Sequence, residues 1–141
     1  MLVIILTIID QVIKYFIVKH QPFQKIIPGI LELTYSENTG TVFGIASGNN
    51  MLFALISIGI IAVMTIVIHT ISQKYEMQRP LWECVMAGGI GNVIDRIARG
   101  FVVDYLYIKP FGVCNFADIL IVCGIIGIGI AQLVSTLKKS A

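Results

Sequence analysis

The chain has 141 residues, 57% of them hydrophobic and only 13% charged, with a net charge of +2 and a mean hydropathy of +0.90. A soluble domain carries about 25% charged residues, so this is the composition of an integral membrane protein, long enough for one domain over residues 1–141. So small a net charge, with no basic cluster interleaved with aromatics, excludes nucleic acid as a partner.

A helix needs about 20 mainly apolar residues to cross a hydrocarbon core of roughly 30 Å. The first candidate span, residues 1–18, is interrupted by Asp10 and Lys14. It lacks a basic start and a small-residue cleavage site, so it reads as a span and not as a signal peptide. Asp10 and Lys14 are spaced i,i+4 and share one helix face. They form either a structural ion pair turned into the bundle or a support for a polar site or lipid headgroup.

Residues 19–50 form an outer loop in which Ile26-Ile27-Pro28-Gly29-Ile30 and then LELTY predict a turn and a short strand. The stretch YSENTGTVFG follows, from Tyr35 to Gly44. There Asn38 either bonds backbone groups at a helix entry or, with Gly40, lets the backbone approach a substrate chain. The second span, 51–69, carries no charged residue. Lys74 and Arg79 lie in the short connection to the third span, 81–97, which contains Glu83 and ends in Asn92, Asp95 and Arg96. These three fall on one stripe at the end of the helix, where they either hold the fold or contact a substrate. Gly88, Gly89 and Gly91 predict close helix contact, because small residues let membrane helices approach.

The second outer loop, 98–116, contains FVVDYLYI, again β-branched and aromatic, so a small sheet on the extracytoplasmic surface is expected with Asp104 on its margin. The fourth span, 117–137, opens at Asn115-Phe-Ala-Asp118. Asn is a favoured helix N-cap and an early acid complements the helix dipole, so capping and a functional role are both open for this pair. The expected fold is an all-α integral membrane protein with four transmembrane helices and a small extracytoplasmic β-rich surface element. Lys74, Arg79, Lys138 and Lys139 lie densest on one side, which the positive-inside rule makes cytoplasmic together with both termini.

Asp104 and Asp118 are the chemically suggestive residues, since an ionisable group at bilayer depth costs about 2.5–3.5 kcal/mol on insertion scales. Two carboxylates converging at a membrane surface suffice for acid–base cleavage of an amide. Cys84, Cys114 and Cys123 support neither a disulfide framework nor a zinc site, and no cofactor or metal is expected. His20 and His69 fall in no recognisable nucleophile arrangement. A small proton- or ion-coupled transporter is the main competing reading, but it predicts polar groups spread through the bilayer depth. A non-catalytic membrane assembly factor would leave both aspartates unexplained.

Taken in order, DQVIK (Asp10 to Lys14), ENTGTVFG (Glu37 to Gly44), AGGIGNVIDRIARGFVVDY (Ala87 to Tyr105) and CNFADI (Cys114 to Ile119) resemble the bacterial lipoprotein signal peptidase family, signal peptidase II. The resemblance implies an inner-membrane aspartyl endopeptidase that removes the signal peptide from prolipoproteins, just before a cysteine modified with diacylglycerol. It implies Asp104 and Asp118 as the catalytic pair. Asn92, Asp95, Arg96, Asn115, Asn38 and Gly40 would order the site or hold substrate, and Asp10 and Lys14 would support it. Partners are then the diacylglyceryl-prolipoprotein and membrane lipid, the active site faces the extracytoplasmic surface, and a monomer is expected. Cys114, Ile119, Thr41 and Val42 depart from the residues usual in the family at those positions.

Overall fold

The computed structural model describes residues 1–40, 50–71 and 78–140. Among these residues the chain runs α1 (Leu2–His20), β1 (Gln24–Ile27), β2 (Leu31–Asn38), α2 (Asn50–Ile71), α3 (Arg79–Ala98), β3 (Val102–Ile108), β4 (Gly112–Cys114) and α4 (Phe116–Ser140). Each helix lies within about three residues of an apolar run that predicted it. Thr41, Val42 and Lys74, and the side chains of His69 and Lys139, lie outside the described residues.

The all-α expectation is corrected to a mixed fold. The β element is a four-stranded sheet of order β1-β2-β3-β4, antiparallel throughout. The chain leaves this sheet after Asn38 and returns beside β2 as β3, with α2 and α3 between them in sequence. Asp104 is therefore not on the sheet margin: it sits inside β3 opposite Ser36, and only 3% of it is exposed. β-Branched and aromatic residues bury well on a pleated surface, and Val103 and Tyr105 pack with Ile17 of α1 into the core that joins sheet to helix. Cys114, expected in a loop, ends β4.

α3 is the central helix and packs against α1, α2 and α4. By length and composition α4 is apolar enough to cross a membrane over Phe116–Lys138, and the apolar stretch Ala54–Ile66 of α2 is shorter. The mid-helix charges of α1 are turned inward, with Asp10 and Lys14 buried while Ile4, Ile8, Val12 and Phe16 are exposed. That distribution inverts a soluble helix, which shows charge outward.

Glycine sets the approach of α3 to its neighbours. A methyl at Gly88 would meet the backbone oxygen of Ala117, and Cγ1 of Ile121 at 2.8 Å; a methyl at Gly91 would meet the Asp10 carboxylate. Gly88→Ala is expected to cost about 1–3 kcal/mol through overpacking against backbone, outweighing the roughly 1 kcal/mol that Ala gains over Gly in helix propensity. The readout is a lower melting temperature in detergent. Gly129→Ala, with nothing within 4 Å of the added carbon, serves as the neutral control. Equal melting of the Gly88 variant and wild type would overturn this account of the α3–α4 contact.

Candidate active site

The N-terminus of α4 is the structural origin of the site. A helix leaves its first backbone N–H groups without intrahelical partners. Here three side chains from different parts of the fold take them. The Phe116 N–H donates to the Tyr105 hydroxyl at 3.1 Å, the Ala117 N–H to Asp10 Oδ1 at 3.2 Å, and the Asp118 N–H to Asn115 Oδ1 at 3.0 Å. Asp118 Oδ2 in turn accepts from the Asn115 N–H at 3.1 Å, which closes a reciprocal capping box. The capping reading of Asn115 and Asp118 is thus realised, and it leaves the Asn115 amide nitrogen free to reach elsewhere.

That nitrogen donates to Asp104 Oδ1 at 2.7 Å and to Asn92 Oδ1 at 3.2 Å. Asp104 Oδ2 accepts from Asn38 Nδ2 at 2.8 Å, and Asp118 Oδ1 accepts from Asn92 Nδ2 at 2.8 Å. Asp104 and Asp118 therefore share one amide network, in which Asn115 contacts both acids and Asn38 and Asn92 each hold one. Gly40 acts through Asn38: at φ 82, a conformation glycine tolerates, its N–H donates to Asn38 Oδ1 at 2.9 Å.

Beneath the acids lies a charged cluster. Lys14 Nζ stands 2.9 Å from both Asp10 and Asp95, with all three side chains fully buried, and donates to Asn92 Oδ1 at 2.9 Å. Asp95 also pairs with Arg99, accepts the Val103 N–H at 3.1 Å and accepts Gln11 Nε2 at 3.3 Å. The cluster holds two carboxylates and two cations, so its formal charge balances, as buried ions require. Sequence spacing predicted Asp10 with Lys14. It missed Gln11, Arg99 and Tyr105, although Asp95 and Arg99 stand i,i+4 and that spacing was a legible signal.

Arg96, expected on the same stripe as Asn92 and Asp95, is brought near the acids without bonding them. Its Nη1 donates to the Asn92 carbonyl at 3.3 Å, and its Nε has no partner among the described residues. Its charge is nevertheless felt by Asp118, Asp104 and Asp95.

Burial pushes Asp104 above its ordinary value of 3.8 despite the donors Asn38 and Asn115, and the neighbouring Asp118 charge pushes the same way. Burial likewise pushes the Tyr105 phenol up to about 12, so it keeps its proton near neutrality. Among the described residues, no group of three or more His, Cys, Asp or Glu is arranged to hold a metal ion. What the arrangement offers is a pair of electrostatically coupled carboxyl groups, one of them disposed to keep a proton while the other acts as a base.

A family model for signal peptidase II matches residues 2–134. Among sequence relatives, the lipoprotein signal peptidase of Streptococcus pneumoniae is 32% identical over 94% of this chain and 90% of its own length. That of Streptococcus agalactiae is 37% identical over 91% of this chain and 86% of its own. Two solved structures, each described as a bacterial membrane enzyme determined by the in meso method, superpose with a TM-score of 0.84. They are 32% and 31% identical, and the matches cover 98% and 94% of this chain and 88% and 90% of theirs.

Proposed function

The chain belongs to the signal peptidase II family of bacterial membrane hydrolases, and on that premise we propose that it cleaves diacylglyceryl-modified prolipoproteins just before the lipidated cysteine, with Asp104 and Asp118 as an aspartyl pair. The observation that carries this reading is the Asn115 amide, which donates to Asp104 at 2.7 Å while its oxygen fixes the backbone of Asp118 at 3.0 Å. One side chain thereby sets the mutual position of both acids, as general acid–base chemistry requires.

In this mechanism Asp104, raised by burial, holds the proton. Asp118 takes a proton from a water molecule, whose oxygen attacks the scissile carbonyl carbon. Asp104 donates to the developing oxyanion. As the intermediate collapses, the C–N bond breaks, the proton gathered by Asp118 passes to the leaving amine, and Asp104 takes back its proton as the carbonyl of the new carboxyl group forms. Asn92, Asn115 and Asn38 orient the carboxyl groups, Gly40 orients Asn38, and Asp95, Asp10 and Lys14 hold those residues from beneath. Arg96 supplies positive charge close to both acids.

All four helices span the membrane in this reading, as one domain over residues 1–141, with both termini cytoplasmic and the acids at the extracytoplasmic surface. Inward burial of Asp10 and Lys14 supports it, because α1 then offers lipid an apolar face. The polar side chains also gather in one cluster, from the middle of α1, the last turns of α3 and the start of α4. A conduction path would spread them through the depth, so this clustering favours the peptidase over the transporter.

The mechanism fixes a pH dependence. Burial disfavours the charged form of Asp104, so its proton leaves at higher pH than that of an ordinary aspartate. A fall in kcat/KM on the alkaline side is expected where Asp104 ionises, above 3.8. Stability runs in the same direction: what protonated Asp104 contributes is present at low pH and lost as pH rises through its raised value. Asp104→Asn should remove that pH-dependent loss of melting temperature. An unchanged slope of melting temperature against pH in this variant would refute the assignment. The direct test of function is cleavage of a synthetic diacylglyceryl-prolipoprotein by the purified protein.

A further inference from the structure

The free ends of the two β-hairpins lie side by side and carry an apolar surface. Ile26, Ile27 and Ile30 flank the β1–β2 turn and are about half exposed, and Phe111 in the β3–β4 turn is 87% exposed. Leu31 pairs with Ile108, and the Lys109 N–H donates to the Ile30 carbonyl at 3.0 Å, which ties one turn to the other. The second turn also lies against α4, since Ile108 and Phe111 line an apolar groove with Ile119, Val122 and Cys123. Ile119 and Val122 stand three and six residues after the start of α4, about 5 and 9 Å along its axis. α4 is apolar enough to cross a membrane from Phe116 onward, so that distance is measured into hydrocarbon. The hairpin end is thus level with the first two turns of a lipid-facing helix.

We propose that the two hairpin turns are a membrane anchor, inserted together into the outer leaflet of the bilayer beside α4. The inference rests on the membrane-spanning reading of α4 given above. The backbone suits that place, because in lipid each backbone polar group needs a partner within the protein. Pro28 and Pro110 carry no N–H. The N–H groups of Gly29, Ile30 and Lys109 are taken by Glu32 Oε1 at 3.4 Å, the Ile27 carbonyl at 3.0 Å and the Ile30 carbonyl at 3.0 Å. Charge is arranged for the interface as well. Lys25 stands opposite Glu32 in the β1–β2 ladder, where the two offset each other. The exposed Lys109 can lay its stem along the apolar turn and present its ammonium to a lipid phosphate. Asp104 lies four residues before Ile108 in β3, about 13 Å along the strand, so lipid that holds the turns also sets the height of that acid.

The test places a single tryptophan at each turn. Trp82, the chain's one tryptophan, is replaced by Phe, and Phe111→Trp, Ile30→Trp or Ile126→Trp is added to that variant. All three positions are exposed, so the added ring displaces no core residue. Each full-length protein is held as one copy per nanodisc of phosphatidylethanolamine and phosphatidylglycerol. Part of the lipid is then exchanged for phosphatidylcholine brominated either near the headgroup or near the chain end. The Phe111→Trp and Ile30→Trp proteins should each lose roughly half of their emission or more to the shallow bromine, as suits a ring about 5–10 Å below the headgroup boundary. Aqueous iodide should leave both unchanged. Ile126→Trp, well inside α4, reports independently whether that helix lies in the bilayer. Bromine quenching of Ile126→Trp together with iodide quenching of either turn would put that turn in water and overturn the anchor alone. Protection of a turn from both quenchers would mean that protein covers it, which overturns the anchor equally. Absence of bromine quenching in all three variants would remove the membrane-spanning reading, and the anchor with it.

Discussion

Asp104→Asn and Asp118→Asn are each expected to lower prolipoprotein cleavage by roughly 10²–10⁴-fold, the usual worth of a positioned acid or base. The losses should not add, because two groups that act as a unit fail together when either is removed. The double variant should therefore be barely slower than either single one. Folding should survive both changes. At Asp104, Asn removes the ionised form that burial penalises but sets its amide nitrogen against the Asn38 or Asn115 donor, so the two effects offset and the melting temperature near neutral pH should change little. At Asp118, Asn retains an oxygen to accept the Asn115 N–H and so to keep the capping box. Loss of turnover with an intact melting transition is the signature of a catalytic pair. Near-normal cleavage by either single variant would end the dyad assignment.

Lys14→Met is expected to produce the largest loss of stability, about 3–5 kcal/mol, the range for removing one partner of a buried ion cluster. The Lys14 ammonium is the only positive charge lying between Asp10 and Asp95 among the described residues, 2.9 Å from each, with no exposure to water. Its removal leaves Arg99 alone to balance two buried carboxylates, and Asn92 loses a donor. Cleavage should fall as well, since Asn92 orients Asp118. Coupling can be isolated by adding Asp10→Asn, which removes one of the stranded charges. The double variant should unfold at less cost than the sum of the two single ones, measured by thermal unfolding in detergent. Simple additivity, or a Lys14→Met cost under about 1 kcal/mol, would mean that the cluster is not a coupled unit.

The proposed function would give these residues a common purpose: Lys14 and Asp95 brace the end of α3 that carries Asn92, while Asp10 holds the second N–H of α4. Stability and orientation thus share the same bonds. The expected loss of activity in Lys14→Met follows from geometry and not from any contact with substrate.

Much of this protein was legible in its sequence. Four apolar runs gave four helices, because hydrophobic length is a local property of the chain. The spacing of Asp10 and Lys14 gave their ion pair, and Asn115 with Asp118 gave the cap of α4, since both depend on neighbours one turn apart. The order of the short polar motifs led to the family. Other features were decided only when the chain closed on itself. Asp104 moved from the sheet's margin into the buried strand β3, because pairing with β2 depends on a partner 68 residues earlier in the ladder, Ser36 opposite Asp104. Gln11 reaches Asp95 across a separation of 84 residues, and Asp10 meets the Ala117 N–H across 107. Tyr105 serves the first N–H of the same helix from a neighbouring strand. None of these contacts has a periodicity to betray it. Local pattern fixes which segments form and which face is apolar, but the partner of a buried polar group is chosen by whichever distant group the packed elements bring within hydrogen-bonding distance.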